Sequence, residues 1–411
     1  VNPNQILLSI KKNLDQSKLV SQKTNAGYQQ EFRQLGMQLS GNLDWEEWMD
    51  LYKKLVYWEL ELDQIEDKGM REILEMQKKE ANAMFTRFIE RNYADWISDP
   101  DDAPLMIHHL MKERIAQEIG NEKVFVLVID NLRFDQWKVL EPAFSKYFNV
   151  QNEELVYSIL PTATHYARNA FFAGLMPSEI AKRFPNLWAS EDDEGGKNLH
   201  EEEFFREQLK RLGKGDLKVS FTKVLNHQAG QELVNNIHNL LQNDINVIVY
   251  NFVDMLSHAR TEMEVLKELA NDEKSYRSIT VSWFEHSPLY QALRKIADKK
   301  INIVMATDHG SIRVQKSAKV IGDKETTTNI RYKHGRNLNF EQKDVLSFRD
   351  PADAGLPMPN VNSSYIFARE DVYLCYPNNY NYYANYYRNT FQHGGVSLEE
   401  MIIPVVRMTS K

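Results

Sequence analysis

Cysteine is nearly absent from this chain: Cys375 is the single one in 411 residues. That excludes an internal disulfide framework and a thiolate zinc cluster, and fits a reducing compartment. No run of roughly 18 or more apolar residues occurs, and no basic, apolar, small-residue leader opens the sequence. The expected setting is therefore cytoplasmic, with no membrane insertion. Positive charge is not in excess either. The 50 Lys and Arg against 58 Asp and Glu leave a formal charge of −8, with a pI near 5.8. The bulk field repels nucleic acid, so a phosphate-bearing ligand needs a local positive site, which metal ions can supply. There is no internal repeat. There is also no initiator methionine, and a chain opening at Val1 reads as part of something longer.

What is present divides in two. From about residue 3 to 118 the pattern is helical, with few glycines. "VNPNQILLSIKKNL" has Asn2 as an N-cap and Pro3 at the first helical position. Trp45, Trp48, Leu51, Leu55 and Trp58 recur at three- and four-residue steps, the signature of one face in a helical bundle. "SDPDDAP", residues 98–104, breaks the helix and marks a linker. The expected domains are thus residues 1–118, a helical linker or bundle, and 119–411. In the second region "KVFVLVID", "ELVYSIL", "INVIVYNF" and "KINIVMATD" are apolar runs of strand length separated by helical segments such as "HEEEFFREQLKRLG" and "QELVNNIHNLLQN". That alternation predicts an α/β fold with a mainly parallel sheet flanked by helices, whose ligands gather at the carboxyl ends of the strands. Two stretches interrupt it. "ASEDDEGGKNLHEEE" at 189–203 reads as a surface loop, and residues 320–390, dense in Asn and Tyr, read as an insertion whose tyrosines either pack or stack on a base.

The strand ends carry the chemistry. The first ends at Asp130; "INVIVYNF" runs into Asp254 and His258, four apart; "KINIVMATDHG" finishes in Asp308 and His309; and His393 precedes two glycines and a final strand. A single Asp at a strand end is usually a helix cap. Several strand ends of one sheet, each delivering an acid or imidazole to the same edge, instead suit zinc or a related divalent ion, and six ligands divide into two metal sites. A fifth end is "ILPTATHYARNAFFAGLMP", where Thr162 or Thr164 stands before a helix. A threonine hydroxyl needs a base or metal to act as a nucleophile, and the helix start offers N–H groups to a phosphate.

The order Asp130, Thr164, Asp254-x-x-x-His258, Asp308-His309, His393 resembles the alkaline phosphatase superfamily, an α/β core with a two-zinc site. "PTAT" before a helix and "GLMPSEI" is similar to the nucleophile region of its nucleotide pyrophosphatase/phosphodiesterase members. More closely, residues from about 120 to 410 resemble a PglZ domain, and the preceding helical region resembles the linker of a two-component response regulator carrying that domain as its effector. The resemblance implies two zinc ions per chain. One would be held by Asp254, His258 and His393, the other by Asp130, Asp308, His309 and the Thr164 oxygen, with Thr164, rather than Thr162, as nucleophile. It further implies a receiver domain outside this chain, a sensor histidine kinase acting on that receiver, a homodimer, and a part in regulating type IX secretion.

The expected reaction is hydrolysis of a nucleotide phosphodiester, linear or cyclic, through a phosphothreonine. Arg168 and Asn169, one turn beyond Thr164, are substrate-contact candidates, as are Lys333, His334 and Arg336 in "YKHGR". His165 is either a site residue or a packed polar one. The rival readings are a metal-dependent phosphomonoesterase and a zinc-ordered scaffold without turnover. Sequence-specific DNA binding is not expected, because no recognition helix lies near a basic patch. A sulfatase is also not expected, because Cys375-Tyr-Pro lacks the required arginine.

Overall fold

The computed structural model describes residues 23, 26–65, 67–120, 122–191, 193, 195–323, 327–358 and 362–411. The helix start expected at Asn2 and Pro3 lies outside them. Two compact units divide the chain, residues 1–85 and 86–411. The second unit thus takes in the end of the expected helical region, and packing explains why. The long helix α2 (Lys68–Ser98) does end at the Pro/Asp cluster, but Tyr93 and Trp96 in its last turns are buried. The Tyr93 hydroxyl accepts from Leu160 N at 2.8 Å, and Trp96 meets Tyr157 edge-on at 5.3 Å. Ile107, Leu110 and Met111, just beyond the cluster, are also fully buried.

In the first unit, α1 (Trp45–Asp63) begins with a capping box. Asp44 Oδ1 accepts from Glu47 N at 2.9 Å, and Glu47 Oε2 accepts from Asp44 N at 3.0 Å. Each satisfies a backbone donor the helix would otherwise strand. Trp48, Leu51 and Leu55 face inward as the periodicity predicts, with Trp48 against Phe85 at 5.4 Å.

The second unit is built on a six-stranded sheet. Its strands are β1 (Lys123–Ile129), β2 (Phe148–Tyr157), β3 (Val219–Val224), β4 (Ile245–Tyr250), β5 (Ile301–Ala306) and β6 (Ile402–Ser410), in the order β2-β6-β5-β1-β4-β3. β1 pairs in parallel with β4 and β5, so Val126 lies opposite Val247 on one side and Val304 on the other. β3 pairs in parallel with β4, whereas β6 runs antiparallel to both β2 and β5. The largely apolar runs of β1 and β4 follow from helices covering both faces of the sheet.

This order positions the site. β5, β1 and β4 are neighbours at about 4.8 Å spacing, so the residues following them emerge side by side. β2 ends at the same edge. The antiparallel β6 starts there, with Ile402 opposite Tyr157, and its approach segment therefore arrives at that edge. Within 320–390 the chain forms a separate antiparallel sheet of Tyr332–Gly335, Ser364–Ala368 and Val345–Phe348, with Ser364–Ala368 in the middle. Val320, Val345, Ile366, Ala368 and Leu374 pack into its core.

Candidate active site

Five chain segments meet at the carboxyl edge. Asp130 follows β1 and is 1 % exposed. Thr164 is the first residue of α3 (Thr164–Ala173), whose N-cap, Ala163, has no side chain to cap it. The Thr164 hydroxyl is not used as a cap; its Oγ1 lies 3.2 Å from Asp130 Oδ1 and 3.0 Å from His309 Nε2. Asp130, Asp308 and His309 bring donor atoms within 4.8 Å of one another, and Asp254, His258 and His393 do the same. Asp254 Oδ2 is 3.5 Å from His258 Nε2, and its Oδ1 is 3.5 Å from His393 Nε2. The rings of His309 and His393 stack with centroids 4.2 Å apart, so the two clusters adjoin.

Both stacked histidines are held the same way. His309 Nδ1 is 3.0 Å from the Gly310 carbonyl, and His393 Nδ1 is 3.2 Å from the Thr162 carbonyl. A carbonyl only accepts, so each Nδ1 carries the proton and each Nε2 can turn its lone pair into the site. This arrangement orients metal-ligating imidazoles. Asp308 Oδ1 accepts from Asn131 N at 3.2 Å and from His309 N at 3.1 Å. Its Oδ2 is buried and accepts no hydrogen bond among the described residues.

The charges agree with this reading. Burial, together with the nearby carboxylates of Asp308 and Asp254, holds Asp130 well above the usual carboxylate range, despite Arg168. Burial pushes His309 down to about 4. Asp254 is also penalised by burial, but its contact with His393 and the charges of His393 and His258 bring it below the usual range. His393 is raised, burial being outweighed by Asp254. Three crowded carboxylates, an orphaned buried carboxylate oxygen and two oriented imidazoles fit two divalent cations.

Beside the clusters lies a cavity of about 890 Å³ lined by Asp130, Thr164, Asp254, Arg168, Asn251, residues 196–199, Lys223, Phe221 and Leu225, among others. Arg168 reaches it, but its guanidinium is already engaged. Nη1 donates to Asp130 Oδ2 at 2.6 Å, and Nε donates to Glu201 Oε1 at 2.5 Å. Asn169 does not line the cavity; its Nδ2 donates to the carbonyls of His165 and Lys197. His165 is packed, stacking on Trp188 at 4.9 Å and lying 2.7 Å from the Ala189 carbonyl.

"YKHGR" does not present a cationic cluster. Adjacent residues of a strand point to opposite faces. Lys333 and His334 are both buried, Lys333 Nζ donates to the Thr327 carbonyl at 2.9 Å, and Arg336 alone of the three is exposed. None of them lines the cavity. The 189–203 stretch is also more than a surface loop. Glu201, the first residue of helix Glu201–Arg211, is fully buried and holds both Arg168 and Lys223. Asn198 Nδ2 donates to the Thr164 carbonyl at 3.1 Å. Sequence reasoning missed Asn131, Asn198, Glu201 and Lys223. A glycine pair inside a charged stretch, a few residues before a helix, is the one signal for the 196–201 wall, and by itself it reads as a surface loop.

The fold and site define an alkaline-phosphatase-like α/β domain behind a helical linker. Residues 110–408 match the family model of the BREX system PglZ alkaline phosphatase-like domain, and residues 18–97 match that of the PorX response regulator linker domain. The chain belongs to the PglZ alkaline-phosphatase-like family, in the form joined to a response-regulator linker. Among solved structures it is similar to murine ectonucleotide pyrophosphatase/phosphodiesterase 5, at 14% identity over 70% of this chain and 88% of that one, with a TM-score of 0.44. The human counterpart matches at 12% identity over 70% and 87%, with a TM-score of 0.39. These are likenesses of fold alone. No curated protein matches. No helix among the described residues is long and apolar enough to cross a membrane.

Proposed function

We propose that this chain is a two-zinc phosphodiesterase, the effector part of a two-component response regulator, which hydrolyses linear or cyclic nucleotide phosphodiesters through a phosphothreonine on Thr164. The observation that carries the reading is the Thr164 hydroxyl, not used as a cap, lying 3.2 Å from Asp130 and 3.0 Å from His309 in the lining of the cavity. Asp130, Asp308 and His309 would hold one zinc and Asp254, His258 and His393 the other. When bound, the ions supply charge stabilisation at the phosphate and ease ionisation of the hydroxyl.

The chain's own groups do the rest. Thr164 Oγ1 bonds to phosphorus as the bond to the leaving oxygen breaks, and its proton has an acceptor in Asp130 Oδ1. Water then attacks the phosphothreonine, releasing phosphate ester and restoring the hydroxyl. Arg168 is neutralised by two carboxylates, which favours a singly charged diester over a dianionic monoester. Leu199, Phe221 and Leu225 supply an apolar wall, and Lys197 and the Glu201-paired Lys223 line the cavity beside it, a combination suited to a nucleoside phosphate. Cytoplasmic location, homodimerisation, response to a sensor histidine kinase through a receiver, and control of type IX secretion belong to the same proposal.

The test is turnover of a chromogenic phosphodiester and the matching monoester by the zinc-loaded protein and by Thr164→Ala. A diester preference lost by roughly 10³-fold or more in the variant is expected. Equal rates for the two proteins would sink the Thr164 assignment. Bound zinc with no turnover of either ester would leave the scaffold reading standing.

A further inference from the structure

Asn131 follows Asp130 directly and is fully buried, yet its backbone has φ +62. That left-handed conformation suits glycine best and asparagine next. The turn lets one residue reach both clusters. Its N–H donates to Asp308 Oδ1 at 3.2 Å, and its Nδ2 is 3.4 Å from Asp254 Oδ1. Glycine would adopt this φ at lower cost, so the amide side chain needs its own reason, and the contact to Asp254 is the one it makes.

Asp254 Oδ1 and Oδ2 otherwise face His393 Nε2 and His258 Nε2, at 3.5 Å each. An imidazole nitrogen that ligates a cation points its lone pair at the ion and no longer carries a proton to donate. Once the second cluster is filled, neither histidine can therefore serve Asp254 as a donor. Asn131 Nδ2 is then the hydrogen-bond donor, among the contacts described for this carboxylate, that still holds its orientation. We propose that Asn131 is a positioning residue that couples the two clusters, fixing Asp254 by its side chain while its backbone fixes Asp308. This rests on the two-metal reading above.

The test is zinc binding by the whole chain, read as metal per chain after equilibrium dialysis and as affinity by competition with a chromogenic chelator. Asn131→Gly keeps the backbone conformation and removes the amide. Asn131→Ala removes the amide without adding a charge or a ligand, so it decides the matter should the glycine variant fold poorly. The expected result is two zinc ions in the parent protein, with one site weakened roughly 10- to 100-fold in either variant and the other retained. Two sites of unchanged affinity in both variants would overturn the coupling role while leaving the two-metal reading intact. A parent protein that holds no zinc would overturn both, and the two failures are distinguished by the parent alone.

Discussion

The Thr162 hydroxyl is clasped by the turn that follows His393. Its Oγ1 donates to the Gly395 carbonyl at 2.8 Å and accepts from Gly394 N at 3.0 Å, while the Thr162 carbonyl lies 3.2 Å from His393 Nδ1. One threonine of the "PTAT" turn thus carries the approach of His393, and the other turns its hydroxyl to Asp130 and His309. Thr162→Val keeps the shape and removes the hydroxyl, stranding a buried N–H, at a cost of about 1–3 kcal/mol. Urea unfolding should show that loss, with ester turnover falling as His393 loses its register. Thr162→Ser should recover most of both.

Metal removal tests the electrostatics. Asp130 and Asp308 are both buried, and Asp308 is among the groups that raise Asp130, so the cation-free site carries repulsion that binding relieves. Chelator treatment should lower the melting temperature and zinc should restore it. At a free concentration 100 times the dissociation constant, one site contributes about 2.7 kcal/mol. Asp308→Asn should melt at or above the chelated parent and respond less to zinc. A parent whose melting temperature ignores both chelator and zinc would contradict two bound ions.

Much of this was legible in the sequence because strand periodicity and strand-end chemistry coincide. β1, β4 and β5 are largely apolar runs, with Asn246 and Asn302 the polar residues inside β4 and β5, and the acids or histidines after them are the ones the sheet order brings together. β3 escaped notice because most of its residues are only half-buried, so "VSFTKV" shows no apolar run. Glu201 and Lys223 were hidden for a different reason. Each looks like an ordinary surface charge, and the ion pairs they make join residues distant in sequence. The Lys333–His334 pair misled because adjacency in sequence becomes opposition in a strand.

Glu400 stabilises the other side of the His393 turn. It is fully buried with Arg331, accepting from Arg331 Nη2 at 2.5 Å and from Gly395 N at 2.9 Å. The turn is also closely packed, since a Cβ on Gly395 would lie 2.5 Å from the Ala368 carbonyl oxygen. Glu400→Gln leaves the Arg331 charge buried without its partner, which typically costs about 3–5 kcal/mol. Denaturant titration should show a lower midpoint with an unchanged slope. An unchanged midpoint would mean that the pair is not what holds the turn.

Lys333 yields a pH dependence with a definite sign. Burial pushes its ammonium down to about 7, against 10.5 in the unfolded chain. Below pH 7 both states carry the proton, and the cost of burying the charge is present in full. Between about 7 and 10.5 the unfolded chain binds the proton more than the folded one does, so stability rises with pH. Over that window the gain is a few kcal/mol, taking 1.36 kcal/mol per unit. Other groups titrate as well, so the measurement is the difference in unfolding free energy between the parent and Lys333→Met at pH 6.5 and 9.5. The variant should be the more stable of the two at pH 6.5, and its advantage should shrink at 9.5. A difference independent of pH would contradict the depressed ammonium. Ester turnover should be unchanged in Lys333→Met, because the side chain lies outside the cavity; a large rise in KM would instead restore Lys333 as a substrate contact.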